Sequence, residues 1–110
     1  MSVAIPDVWV KKLIAWSREN SRVQSAYLYG SRVKGAHHPD SDLDFAVCLS
    51  EGPESGITTW VYEAASWRKQ LAELLPVSVH LEMAEVGDHV VWPALQEHGI
   101  LIFYRDHSLP

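Results

Sequence analysis

The stretch Tyr27–Val47, YLYGSRVKGAHHPDSDLDFAV, decides how the other residues are read. On its left, Val23–Tyr29 (VQSAYLY) has the composition of a strand and stops at Gly30. On its right, Asp42–Leu49 (DLDFAVCL) alternates Asp42, Asp44, Ala46 and Cys48 against Leu43, Phe45, Val47 and Leu49, which predicts a second, two-faced strand. Gly30-Ser31 and a loop of ten residues join them. Gly30 permits close backbone approach or an unusual φ, Ser31 offers a hydroxyl and an amide, and a short helix starting at Arg32 would aim amide donors at an anion. Asp42 and Asp44, two apart on a strand, are expected to share a face and to present hard oxygen ligands for Mg²⁺. Carboxylates alone repel a nucleoside triphosphate, and a bridging Mg²⁺ reverses that repulsion.

Outward from this stretch the chain alternates short elements. Asp7 is expected to cap a helix reaching about Asn20, with Trp9, Leu13 and Trp16 facing inward and Val10 and Ile14 widening the stripe. Ser50–Gly56 reads as a polar turn. A helix then begins at Thr58 or Thr59 and ends before Pro76, with Val61, Ala64, Ala65, Arg68, Leu71, Ala72 and Leu75 on its inner side. Val77–Met83 alternates as a third strand, a short helix spans about Pro93–His98, Gly99 suits a left-handed C-terminal position, and Ile100–Arg105 closes as a strand. The order α-β-β-α-β-α-β predicts an α/β (α+β) domain: a small mixed sheet with helices packed mainly on one face.

At 110 residues the chain is expected to be a single domain, 1–110, and 47% hydrophobic with 21% charged residues excludes disordered and fibrous classes. Nine Lys/Arg against fourteen Asp/Glu give a net charge of −5, which disfavours nucleic acid and anionic lipid as partners. Cys48 is the single cysteine and cannot form an intramolecular disulfide; with no export signal in Met1–Asp7, a cytoplasmic location is expected. No apolar run approaches the roughly 20 residues that span a bilayer.

Gly30-Ser31, ten residues, then Asp42-x-Asp44, with Arg32, Gly35 and Ser41 at their places and a hydrophobic strand following, resembles the signature of the minimal nucleotidyltransferases of the DNA polymerase β-like superfamily. The ending LQEHGILIFY, Leu95–Tyr104, is similar to that family's usual close. The resemblance implies the polymerase β-like fold. It implies that Gly30, Ser31, Arg32 and Ser41 bind ATP or another nucleoside triphosphate, and that Asp42 and Asp44 are the catalytic, Mg²⁺-binding pair. The reaction implied is in-line attack on the α-phosphate with release of pyrophosphate. Small members of the family often stand beside a HEPN-domain toxin, acting as its antitoxin, in some cases by transferring AMP to a toxin tyrosine. The family also supplies a third carboxylate from a later strand; the simplest register puts Ser78 there, with His80 and Glu82 on the same face about 6.7 Å and 13 Å further along.

Other features read more plainly. His37-His38 before Asp40 is expected to be solvated loop, and Lys34 serves equally as a phosphate contact or an exposed charge. Trp9, Trp16, Trp60, Trp67 and Trp92 are expected in the core, although so many indoles in a small domain also fit an interface. Two functions remain: nucleotide transfer to a partner's hydroxyl, and a catalytically impaired fold that neutralises its HEPN partner by contact. Transfer to a small molecule such as an aminoglycoside asks for substrate-binding structure that is not seen, and polymerase or tRNA-modifying roles fit the size and charge poorly. A homo-oligomer is compatible with either function.

Overall fold

The structure is a computed structural model that describes residues 5–51 and 53–106. Its elements are α1 (Asp7–Glu19), β1 (Val23–Tyr29), α2 (Ser31–Lys34), β2 (Leu43–Leu49), α3 (Pro53–Leu74), β3 (Val79–Met83), α4 (Val91–His98) and β4 (Ile100–Tyr104). The strands form one mixed sheet in the order β3-β2-β1-β4. β1 is antiparallel to β2 and to β4, whereas β2 and β3 are parallel, as their connection through α3 requires.

Alternation along the strands creates two faces. Leu28, Phe45, Val47 and Leu81 meet α1 and α3 in the main core, where Leu13, Trp67 and Leu71 are buried. Each fully buried side chain of this kind contributes about 1.5–3 kcal/mol. The opposite face carries Ala46 under Val91 and Leu95 of α4, flanked by Tyr27, Tyr29, Cys48 and Trp92. Thus the two long helices share one face, as expected, and the short α4 covers the other.

All five tryptophans pack against these cores. Trp16 meets Phe45 and Trp67 edge-on at centroid distances of 6.0 and 5.9 Å, and Trp60 meets Trp67 at 6.3 Å. The indoles also correct the expected face of α3. Ala64, Trp67, Leu71 and Leu75 are buried, while Val61 is 70% exposed and Ala65 and Ala72 are exposed. Two indoles offer far more apolar area than the alanines, so the helix turns Trp60 and Trp67 inward. Arg68 follows, its guanidinium 5.2 Å over the Trp60 ring.

Helix ends supply further corrections. Pro6, not Asp7, is the N-cap of α1, and Asp7 lies in its first turn. The polar segment read as a turn is helical from Pro53 onward, with Gly52 outside the described residues; proline suits a first helical position because its missing N–H would be unpaired there anyway. α4 starts at Val91 because Asp88 caps it: Oδ1 accepts N–H bonds from Val90, Val91 and Trp92 at 2.9, 2.7 and 2.9 Å. Partial burial pushes the Asp88 carboxyl up, but these bonds and one from Glu85 N–H hold it below its ordinary value. Gly99 is extended, φ −65° and ψ 145°, rather than left-handed. Glycine is needed there for close approach, since a Cβ would lie 2.7 Å from the Leu95 Cα and carbonyl oxygen.

Arg105 ties the end of β4 to α1. Its Nη2 donates to the carbonyls of Ser17, Arg18 and Asn20 at 3.0–3.1 Å, and Nε donates to Val23 O at 3.1 Å. Ser17, Arg18 and Asn20 lie at the C-terminal end of α1, where carbonyls lack partners within the helix, and Val23 opens β1. Arg105→Ala is expected to destabilise the protein by about 2 kcal/mol, read as a lower midpoint in urea unfolding.

Candidate functional site

β1 ends at Tyr29, and the chain turns through Gly30 into the single-turn helix α2. Gly30 has φ 80° and ψ −161°, a region open in practice to glycine alone. A side chain would be excluded here twice over, because a Cβ on residue 30 would fall on the Asp44 carboxylate. Thus the second aspartate of the expected pair packs directly against the glycine of the turn. β1 and β2 enforce this through the pairing of Tyr29 with Asp44. Asp42 is not part of the strand; it is the exposed last residue of the loop, one position before β2.

Arg32 and Ser41, expected to bind the triphosphate, have bonds inside the loop itself. Arg32 is buried, its guanidinium donating from Nε to Ser41 O and from Nη2 to Pro39 O, both at 3.1 Å, and lying 5.5 Å over the Trp9 ring. Ser41 Oγ accepts the His38 N–H at 2.8 Å, and Ser41 N–H returns a bond to His38 O at 3.0 Å. The charge and the hydroxyl therefore shape the loop that delivers Asp42. Ser31 is half-buried at the start of α2, and Lys34 is exposed.

The parallel register decides what reaches Asp44 from β3. Val79 and Leu81 share the core face with Leu43 and Phe45, so His80 comes level with Asp44 and Glu82 with Ala46. Ser78 precedes the strand, its carbonyl accepting the Leu43 N–H at 2.8 Å. The expected register is corrected accordingly: the residue beside Asp44 is His80, not Ser78. His80 Nδ1 lies 3.0 Å from Asp44 Oδ1 and Nε2 lies 2.9 Å from Glu82 Oε1. An ionised carboxylate only accepts, so the protonated ring, which donates from both nitrogens, is the form that can bond to both. The hydrogen bond to Asp44 raises the His80 pKa, partial burial opposes it, and the charges of Glu82 and Asp44 add to the rise.

Two further residues join the site from places the sequence reading did not single out. Tyr29, beside Asp44, has its phenol pushed up to about 12 by burial and then by the negative charges of Asp44, Glu82 and Asp88, so it stays protonated. The sequence signal was its position as the last residue of the strand facing Asp44. His98, at the end of α4, accepts the Gly30 N–H on Nε2 at 2.8 Å. It lies within the Glu97-His98-Gly99 ending, but only docking of α4 shows what it touches.

Mg²⁺ takes one or two carboxylates and completes its octahedron with substrate oxygens and water, so the donor pair Asp42 and Asp44 fits that ion. Among the described residues no three His, Cys, Asp or Glu side chains gather as a cage for a metal. A cavity of about 420 Å³ lies toward the other end of the sheet between Ser25, Cys48, Met83 and Trp92, and none of these site residues lines it. No described helix is long and apolar enough to cross a membrane.

A four-stranded mixed sheet whose first two strands bring a glycine turn against an aspartate is the framework of a nucleotidyltransferase. The family model for polymerase beta nucleotidyltransferases matches residues 11–108, and the chain belongs to that family. Among solved structures, a chain of a toxin–antitoxin complex with AMP-PNP superimposes with a TM-score of 0.67 at 25% identity, over 90% of this chain and 76% of that one. A chain of the toxin–antitoxin MntA–HepT gives 0.63 at 22% identity, over 91% and 74%. A chain of the tri-AMPylated Shewanella oneidensis HEPN toxin in complex with MNT antitoxin gives 0.62 at 21%, over 90% and 72%. The last two show the fold alone. Comparison with curated proteins finds no match.

The His80 ion pairs have a definite pH signature. A raised folded pKa means that their contribution to stability is fully present below the unfolded value of about 6.5 and is lost as pH rises through the folded value. NMR titration of the His80 ring is expected to give a pKa above that of an unfolded histidine, and Asp44→Asn is expected to lower it.

Proposed function

We propose that this chain is a Mg²⁺-dependent nucleotidyltransferase that transfers AMP from ATP to a hydroxyl of a HEPN-domain partner, serving as that partner's antitoxin. The carrying observation is the packing of the Asp44 carboxylate against Gly30, which supports the reading of a metal-binding carboxylate beside a phosphate-holding turn. Family membership supports the reaction class. The AMP-PNP complex supports the nucleotide, and the AMPylated toxin bound to its antitoxin supports the acceptor.

In the proposed mechanism Gly30 and Ser31 hold the triphosphate, and Asp42 and Asp44 hold the metal. Mg²⁺ would neutralise phosphate charge and stabilise the oxygens that attack and leave. The acceptor oxygen forms a bond to the α-phosphorus, the bond from that phosphorus to the bridging oxygen breaks, and pyrophosphate departs with the electron pair. The acceptor's proton passes to solvent. His80 fixes one Asp44 oxygen by donating to it and offsets the negative charge of Asp44 and Glu82. Arg32 and Ser41 keep the loop closed so that Asp42 stays near the mouth of β2.

The residue level with Asp44 on β3 is His80 and not a carboxylate, which favours a second reading: a fold that neutralises the toxin by contact. The two readings separate when the chain, a neighbour-encoded HEPN protein, ATP and Mg²⁺ are incubated and the partner is weighed by mass spectrometry. Transfer predicts the added mass of AMP and a fall of at least about 100-fold in its rate in Asp42→Asn and Asp44→Asn. An unmodified yet inhibited partner would sink transfer and leave the contact reading. His80→Asp places a carboxylate level with Asp44 and is expected to tighten Mg²⁺ binding by about tenfold in calorimetry.

A further inference from the structure

We infer that His98 is a positioning residue that holds the Gly30-Ser31 turn in its phosphate-binding conformation before nucleotide arrives; this rests on the nucleotidyltransferase reading above. Residue 30 lies in a backbone region that persists only when its surroundings impose it. Three contacts do so. The Gly30 carbonyl accepts the Lys34 N–H at 3.1 Å, the Asp44 carboxylate fills the space beside its Cα, and the Gly30 N–H is donated to His98 Nε2 at 2.8 Å. The first two come from the turn and its neighbouring strand. The third comes from the last helix, 68 residues away in sequence.

The peptide plane that carries the Gly30 carbonyl also carries the Ser31 N–H. Pinning residue 30 at both its amide and its carbonyl therefore orients the Ser31 donor, and a donor oriented in advance loses less entropy on binding. The acceptor role also sets the chemistry of the imidazole. With Nε2 accepting, the proton of the neutral ring sits on Nδ1, which is buried and has no hydrogen-bond partner among the described residues. Burying a donor unpaired is destabilising, so the ring's placement is explained by what its other nitrogen does for Gly30. His98 touches no reacting atom and acts through the backbone it holds.

The test uses the full chain. His98→Phe keeps the ring volume without an acceptor, His98→Gln restores an acceptor, and His98→Ala replaces the Phe variant if that one does not fold. In the nucleotide-free protein, ¹H–¹⁵N exchange at the Gly30 amide is expected to speed up about tenfold in His98→Phe and to recover in His98→Gln. The dissociation constant and KM for Mg²⁺–ATP are expected to rise about three- to tenfold with kcat nearly unchanged, again recovering in His98→Gln. Unchanged Gly30 exchange in His98→Phe overturns the contact, and faster exchange with unchanged or tighter ATP binding overturns the positioning role alone. A wild-type chain that binds no Mg²⁺–ATP overturns the nucleotide reading and the positioning role together, while the exchange data still report whether the His98 bond exists.

Discussion

The structure turns on one close approach: the Asp44 carboxylate occupies the space where any other residue at position 30 would carry its Cβ. That contact joins the end of β1 to the start of β2 and makes a glycine and an aspartate interdependent. It also brings together two groups that lie fourteen residues apart in sequence, the backbone proposed to hold phosphate and the carboxylate proposed to hold a metal. Movement of either strand end would separate them.

The core keeps those ends in place. Leu28, Phe45, Val47 and Leu81 present one apolar face to α1 and α3, and slippage of any strand by a single residue would turn that face outward. The same register decides the opposite face, where Asp44, His80 and Glu82 meet while Tyr29 stands beside them. Packing energy on one side of the sheet is thus what orders the polar groups on the other. α4 completes the arrangement by laying Val91 and Leu95 on Ala46 and bringing its last residue to Gly30.

Local pattern carried much of this. Val23–Tyr29 and Ile100–Tyr104 form strands where β propensity and bounding glycines place them, and the Gly30-Ser31 turn lies between strands as its residues indicate. Misreadings occurred where a choice depended on neighbours far away. Alanines and tryptophans both offered an apolar stripe on α3, and the facing core selected the indoles. Gly99 looked like a left-handed stop, yet it is needed for its closeness to Leu95. The bonds of Arg32 to loop carbonyls and its approach to the Trp9 ring depend likewise on the folded loop.

By itself the amino-acid sequence determined the class of domain and the strand–turn–strand at its centre, and it put Asp42 and Asp44 forward as the proposed metal pair, because these depend on spacing within some twenty residues and on local backbone preference. Only the tertiary structure decided that His80 rather than Ser78 meets Asp44, that Glu82 shares its ring, and that His98 takes the Gly30 amide. The contacts to Asp44 and to Gly30 join residues 36 and 68 positions apart. Their partners are chosen by strand register and helix docking, which follow from cooperative burial of apolar faces and leave no mark in the neighbouring residues.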